Sequence, residues 1–542
     1  MKRKMRGILR KSAAAVSASV LVLSLPVTAS ADGTAYCERE KEALKAACES
    51  LAEEWDKSLE TSLKEDGSLA SDAVMDINLT VEDAGRSMLG MLTGMDLSWL
   101  QNVILHMDAS VADSKEAVKM TALVNDSAVC SMYTLMDYLS GMEYIQIPEL
   151  APGYLKASLE EAGADAVSGY MAAMSDILED PKAVLPEGAV LGEIMERYGT
   201  VIIDHMQEGA SVDESVSIDG IGEECTLLEG QLFEDDMMTI AKEILTTAQT
   251  DEQIKEILTK CTEINPQSGD LNEQFQSFLA DTLTELEAPS TEEEAEDTAN
   301  QYIASRIWVN NENRIVGREI ALCEGVDSDV SITWKNPKNE DASGFLLSMY
   351  SEGSEISITG NGQTAGDTLN GTYSLVTDGI VMMEIAVENF NSNANGEGYP
   401  AGTFTMTFPS GETEEDYNPL SAFSLVADLS SSSTDQSVDL KLDLLSSGAS
   451  LCSLNFHIAA GGDGVEAVEE KDMGTVYDLT SEEDMTAYEA AMNFDTIRAN
   501  AEKAGVPSEI IDMIAASMTE PELEVLEDDA ADAADAAAND AA

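Results

Sequence analysis

The sequence predicts an α+β chain in which curved antiparallel β-sheets, laid out as meanders, are covered by helices. Three observations carry that expectation. Runs such as DAVMDINLTVED set Met75, Ile77, Leu79 and Val81 against Asp76, Asn78, Thr80 and Glu82, the period-two alternation of an antiparallel sheet with one covered and one wetter face. Stretches of helical period stand before, between and after these runs. Turn signals separate the strands at short intervals, and Asp378-Gly379 inside TLNGTYSLVTDGIVMMEIAVENF is a strong two-residue hairpin signal.

Residues 1–31 read as a secretory signal peptide: a basic MKRKMRGILRK, an uncharged SAAAVSASVLVLSLPVTASA, and cleavage expected after Ala31. Serines and Pro26 interrupt the apolar part, which argues against a permanent span, and no later stretch reaches transmembrane length. Cys37 lies in TAYC, without the Leu and small residues of a lipid-attachment site. The expected location is therefore secreted and extracellular, with loose cell-wall association as a variant.

Residues 32–286 open with a helix over 36–64, where Leu44, Cys48, Leu51, Trp55, Leu59 and Leu63 recur at helical spacing before Asp66-Gly67. Alternating strands follow to about residue 150. Helical period is expected from 151 to 286, interrupted by a hairpin over Ser215 to Phe233. Residues 287–300, around APSTEEEAEDT, form an acidic linker. The stretch 301–518 is a longer β-meander, with strands expected at 301–309, 315–323, 328–335, 344–350, 354–359, 371–377, 380–389, 402–409, 421–429, 436–445 and 450–459, and helices from Ser481. Residues 519–542 are low-complexity, acidic and too poor in large apolar groups to pack, which predicts disorder.

The signal holds six of the 29 Lys and Arg and none of the 103 acids, leaving 23 basic residues and a net charge of −80. Nucleic acid and anionic lipid surfaces are disfavoured as partners at long range. A solvated, self-repelling surface is the plain reading of the acid excess, and diffuse divalent-cation binding is the sharper one. The seven cysteines show no C-x-x-C or zinc spacing, and Cys130, Cys323 and Cys452 sit in apolar runs as buried thiols. With 44% hydrophobic residues, the chain builds its core without disulfide staples.

No catalytic residue, metal ligand or cofactor motif stands out. His106 and His457 fall on the polar phase of their strands and His205 sits beside Asp204 on a helix, without a nucleophile elbow or H-E-x-x-H spacing. GNGQTAG from Gly360 joins two strands and opens no helix, so it is a turn and not a phosphate loop. NEDASG from Asn339 has Tyr350 where an EF-hand needs a bidentate Glu. Paired carboxylates cannot be singled out among 103 acids.

The segment AGRSMLGMLTGMDLSWL, residues 84–100, is unusual in a chain that is 24% charged, because only Arg86 and Asp96 carry charge. Met88, Leu92, Met95 and Trp99 share a helical face, and Gly85, Gly90 and Gly94 loosen the helix. Two readings stand open: a soft, Met-rich cover over an apolar ligand, or a plug for the sheet's own core. The first makes these four residues the candidate ligand-binding set.

The stretches GMDLSWLQNVILHMDASV, MEYIQIPELAPGYLKASL and RIWVNNENRIVGREIAL resemble secreted or lipid-anchored envelope proteins of Gram-positive anaerobes and, more distantly, LolA/LppX-type lipoprotein carriers. The resemblance implies a curved antiparallel sheet closed by helices over an apolar cavity, and transfers no functional residue. The expectation is a non-enzymatic secreted protein that binds an apolar small molecule, a lipid or another envelope component. A structural or adhesive surface protein presenting strand faces to a protein or glycan is the alternative, followed by a motif-less hydrolase.

Overall fold

The computed structural model describes residues 35–61, 63, 72–112, 114–158, 181–209, 211–264, 270–287, 301–324, 327–351, 353–394, 399–410, 418–433, 436–461 and 464–519. The expected signal peptide, most of the acidic linker and nearly all of the acidic tail lie outside these residues. The order runs α1 (Tyr36–Thr61), β1 (Asp72–Val81), α2 (Asp83–Thr93), β2 (Asn102–Ala112), β3 (Lys115–Val124), β4 (Ser127–Asp137), β5 (Met142–Gln146) and β6 (Tyr154–Ser158). After α3 (Gly188–Asp204) come β7 (Gln207–Glu208), β8 (Val212–Ile218), β9 (Ile221–Phe233), α4 (Glu234–Thr250), α5 (Glu252–Ile264) and α6 (Leu271–Glu287). The meander comprises β10 (Gln301–Asn310), β11 (Ile315–Glu324), β12 (Asp327–Lys335), β13 (Lys338–Asn339), β14 (Ala342–Ser351), β15 (Ser354–Ala365), β16 (Thr368–Thr377), β17 (Ile380–Asn391), β18 (Ala401–Thr407), β19 (Phe423–Ser432), β20 (Ser437–Ser446) and β21 (Ala449–Ala460). It ends in β22 (Val476–Asp478), α7 (Glu482–Ala491), α8 (Asp495–Lys503) and α9 (Ser508–Thr519).

Each strand expected in the second meander forms, with shifts of a few residues at its ends. Two expectations change in detail. Tyr154–Ser158 is a strand and not the start of the helical stretch; its side chains alternate, Tyr154 is buried, and it pairs with both β5 and β22. GNGQTAG is mostly strand, because β15 continues to Ala365 and the turn falls at Gly366.

These strands join into one open, mostly antiparallel sheet. Hydrogen bonding takes it in the order β22, β6, β5, β4, β3, β2, β1, β21, β20, β19, β18, β17, β16, β15, β14, β12, β11, β10, β9. The outer edge of β9 carries β7 and β8, and among the described pairings only β22 with β6 is parallel. Strands from before and after the acidic linker thus share one ladder, through β9–β10, β1–β21 and β6–β22. Several hairpins close through two residues of positive φ, among them Asn125-Asp126, Asp219-Gly220, Asp378-Gly379 and Ser447-Gly448, the backbone that matches the twist of the flanking strands.

At about 4.8 Å per strand the ladder is roughly 85 Å wide along its path, whereas α1, with 26 residues, is about 39 Å long. Helical cover is accordingly local. At one end Tyr36 and Ala43 of α1, Ile202 of α3 and Ile240 of α4 bury Leu228, Leu232, Ile303 and Ile307. At the other, Ala501, Ala504, Val506 and Ile511 pack with Trp99 and Val124, α2 meets β21, and the 464–475 strap sets Met473, Val465 and Val468 against Leu135, Tyr144 and Tyr154 on the opposite side of the sheet. The β8–β9 hairpin reaches back to β14 and β15, where a Cβ on Gly344 would meet Ile218 and Asn361 lies 3.5 Å from Asp219. This bend encloses Val216, Cys225, Trp308 and Val316.

Candidate functional site

Residues directly opposite one another in a ladder project to the same face, so the register shows which side chains form a common surface. One row runs Phe345, Gly360, Tyr373, Ile385, Met406, Leu425, Leu444, Cys452 and Val81. The next row on the same face runs Gly371, Val387, Phe404, Ala427, Leu442, Leu454, Leu79, Val103 and Val124. A third holds Val438, Ile458, Met75, Met107, Met120 and Met132, four methionines opposite one another on four adjacent strands.

This apolar face is the one that helices bury at β9 to β11. Between that cover and the packing of α2 on β21 lie β12 and β14 to β20, where most side chains on either face are half-buried and Leu347, Met349 and Ile356 are exposed. Eight strands spaced about 4.8 Å apart and roughly 20 Å long present on the order of 700 Å². This is the footprint of the sheet and not its exposed area, since most of its side chains are half-buried and Val387 and Ala427 are buried.

Tyr373 organises the middle of this face. Its ring lies against Gly360, Gly362 and Gly371, where added Cβ atoms would come within about 3 Å of it, and meets Phe345 edge-on with centroids 6.0 Å apart. The glycines in this nominal loop sequence are therefore a seat for an aromatic ring within a strand. Phe390 and Phe404 make a second aromatic contact at 5.6 Å.

The four residues singled out from the sequence do not form one surface. The helix ends at Thr93, with Gly94 at φ 71° donating to the Gly90 carbonyl, so Met95 and Trp99 leave the helical face expected to join them to Met88 and Leu92. Met88 is half-buried, Met91 and Leu92 are 80% and 75% exposed, and Met95 is exposed. Trp99 packs instead beneath α8 and α9. Gly85 seats α2 against β21, where a Cβ would stand 2.1 Å from the Leu451 carbonyl oxygen, and Arg86 ties the segment together through the Val81 and Leu100 carbonyls and Asp83. The sequence signal for methionine was real but local; the larger methionine grouping arises from strand pairing, which no single-segment reading detects.

Over β20, β21, β1 and β2 the opposite face carries polar side chains. Asp439, His457, Asp76 and His106 stand opposite one another on β20, β21, β1 and β2. His106 Nδ1 lies 2.6 Å from Asp76 and its Nε2 3.0 Å from Asp108, while His457 Nδ1 lies 2.7 Å from Asp439. The hydrogen bond that His106 donates to Asp76 raises the His106 pKa above its ordinary value. His205 is 2.7 Å from Glu243. All three histidines are thus partners of carboxylates.

All seven cysteines are free thiols. Cys323 is buried as expected, whereas Cys130 and Cys452 are half-buried. Loss of solvent pushes Cys37 up to about 12 and Cys48 and Cys225 to about 11, so these three are protonated at neutral pH. Among the described residues no group of three or more His, Cys, Asp or Glu is arranged to hold a metal ion, and no helix is long and apolar enough to cross a membrane. A cleft of about 300 Å³ is bordered by Arg197, Thr247, Thr250, Asp251, Glu252 and Gln253; its Asp251 already accepts from Arg197, Tyr198 and the Gln253 amide at a helix junction. Comparison with protein-family models gives no match, and comparison with curated proteins gives none either.

Proposed function

We propose that this is an exported, non-enzymatic binding protein whose working surface is the apolar face of its sheet that none of the described helices covers, and that its ligand is a lipid or another extended apolar molecule. One observation carries the reading: the apolar face continues strand after strand across β12 and β14 to β20 between two helical covers. A plain structural sheet gains stability by burying such a face, at about 25 cal/mol per Å². The Met75, Met107, Met120 and Met132 row supplies adaptable contact surface. α2, with Met91 and Leu92 exposed and Met95 exposed just beyond its end, is a lid or first contact for the ligand at the β21 end. The analogy to LolA/LppX-type carriers rests on this same combination of wide sheet and helical cover.

The test is native mass spectrometry of protein recovered from its own envelope, together with titration of a neutral apolar fluorophore. The expected result is a co-purifying lipid-sized mass and saturable probe binding, both weakened by Leu347→Asp with Ile356→Asp, positions exposed enough for the fold to survive. An adhesive surface protein is the second reading, favoured by the accessibility of both sheet faces. Wild-type protein that carries no lipid and binds no probe, yet retains envelope proteins or glycans, overturns the lipid reading in its favour.

A further inference from the structure

One cross-strand row on the apolar face begins with a charge. The register runs Arg318, Trp334, Leu347, Ile358, Leu375, Met383 across β11, β12, β14, β15, β16 and β17. Arg318 is 2% exposed beneath α1 and bonds through Nη1 to Glu40, itself 1% exposed, while its Nε and Nη2 have no partner. Arg39, on the same helical turn and 4% exposed, bonds Asn313 Oδ1 at 2.8 Å through Nη2 and leaves Nε and Nη1 without partners. Glu40, the residue after Arg39, adds a carboxylate oxygen without a partner. Two guanidinium groups and one carboxylate leave one positive charge uncompensated in the interior of a protein whose formal net charge is −74. Such charges are held where an anion completes them.

We infer that the ligand is a single-chain lipid ending in a carboxylate, held by the buried, unpaired guanidinium edge of Arg318 with support from Arg39, its acyl chain lying along the row from Trp334 to Met383. This rests on the reading that the apolar face binds lipid. The chemistry is specific: a carboxylate accepts two parallel N–H bonds from one guanidinium and neutralises its charge. The dimensions agree. Five strand-to-strand steps of about 4.8 Å make a path of roughly 24 Å, longer than the ~15 Å hydrocarbon depth of one membrane leaflet. Charge also separates the two ends of the path: Arg318 is its only charged residue, and Leu347, two strands away, is already exposed.

The experiment compares palmitate with methyl palmitate on the full mature chain by calorimetric titration. Palmitate is expected to bind at least about tenfold more tightly, the equivalent of one charge-assisted hydrogen bond. Leu347→Asp is expected to weaken both ligands together, and Arg318→Gln to reduce palmitate to the affinity of the ester. Because Arg318→Gln also disturbs a buried ion pair, Glu40→Gln serves as the second variant: removing the competing carboxylate tightens palmitate and leaves the ester unchanged. Equal affinity for acid and ester, or a Glu40→Gln protein with unaltered palmitate binding, overturns the carboxylate assignment while leaving the apolar surface standing. Failure of both ligands to bind overturns the surface reading itself.

Discussion

Replacing Tyr373 with Ala isolates what holds the centre of the uncovered sheet. Gly360, Gly362 and Gly371 leave no side chains of their own beneath the ring, and glycine in a strand weakens it. A tyrosine side chain offers about 200 Å², and with roughly half of it hidden in this position the loss at ~25 cal/mol per Å² is about 2.5 kcal/mol. The edge contact with Phe345 at 6.0 Å adds about 0.5–1 kcal/mol, for a local total near 3 kcal/mol. Native-state hydrogen exchange of the β15 and β16 amides measures this directly, because it reports the opening of those strands separately from distant ones. The expected result is a drop of about 3 kcal/mol in their opening free energy, with β3 and β4 unchanged and Tyr373→Phe close to wild type. A drop below ~1 kcal/mol, or one spread equally over all strands, refutes the idea that the ring substitutes locally for a second layer.

Three further outcomes follow from the geometry. Because the folded pKa of His106 is raised by Asp76, its contribution is complete below the unfolded value of about 6.5 and is lost as pH rises through the higher folded value; His106→Ala should therefore lower Tm more at pH 6 than at pH 8.5, and a pH-independent deficit contradicts the assignment. Gly85→Ala forces a Cβ to 2.1 Å from the Leu451 carbonyl oxygen, so α2 should lift from β21 and Arg86 become a site of rapid tryptic cleavage; an unchanged digestion pattern shows that the helix is not seated there. Divalent cations should raise Tm more than sodium at matched ionic strength if carboxylates bind them in addition to being screened, whereas equal shifts leave only screening.

The alternating strands were legible because each carries its own period: the Met75 to Val81 phase of β1 and the Asp378-Gly379 turn are local facts, and the sheet uses them unchanged. What lay out of reach was partnership. Nothing local in β1 says that β2 and β21 flank it, residues that follow it by tens and by hundreds of positions. The methionine row and the row from Arg318 to Met383 exist only through such pairings. Arg318 itself reads in the sequence as an ordinary polar residue within GREIAL, and only the docking of α1 makes it a buried charge. The 84–100 segment failed in a different way: its composition was unusual as read, but Gly94 ends the helix, and that single left-handed residue sends Trp99 into a core instead of onto the face of Met88.

An apolar face of several hundred Å² invites a second copy to cover it, and the charge distribution argues against that occupant. The polar rows of β19 and β20 carry Asp428, Asp439 and Asp443 with only Lys441 among them, and the exposed edge strand β8 carries Asp213 and Glu214. These carboxylates stand on the polar face, turned away from such a contact, so the opposition comes from net charge: two chains of formal charge −74 repel at long range when salt is low, and beyond a Debye length of ~8 Å at physiological salt that repulsion is largely screened. Charged edges also block the edge-to-edge pairing by which open sheets grow. A neutral chain or a monoanionic lipid meets neither obstacle, because it adds at most one charge, for which Arg318 is the proposed partner. On the proposed reading, the acid excess disfavours nucleic acid and self-association and leaves the apolar face to small amphipathic ligands.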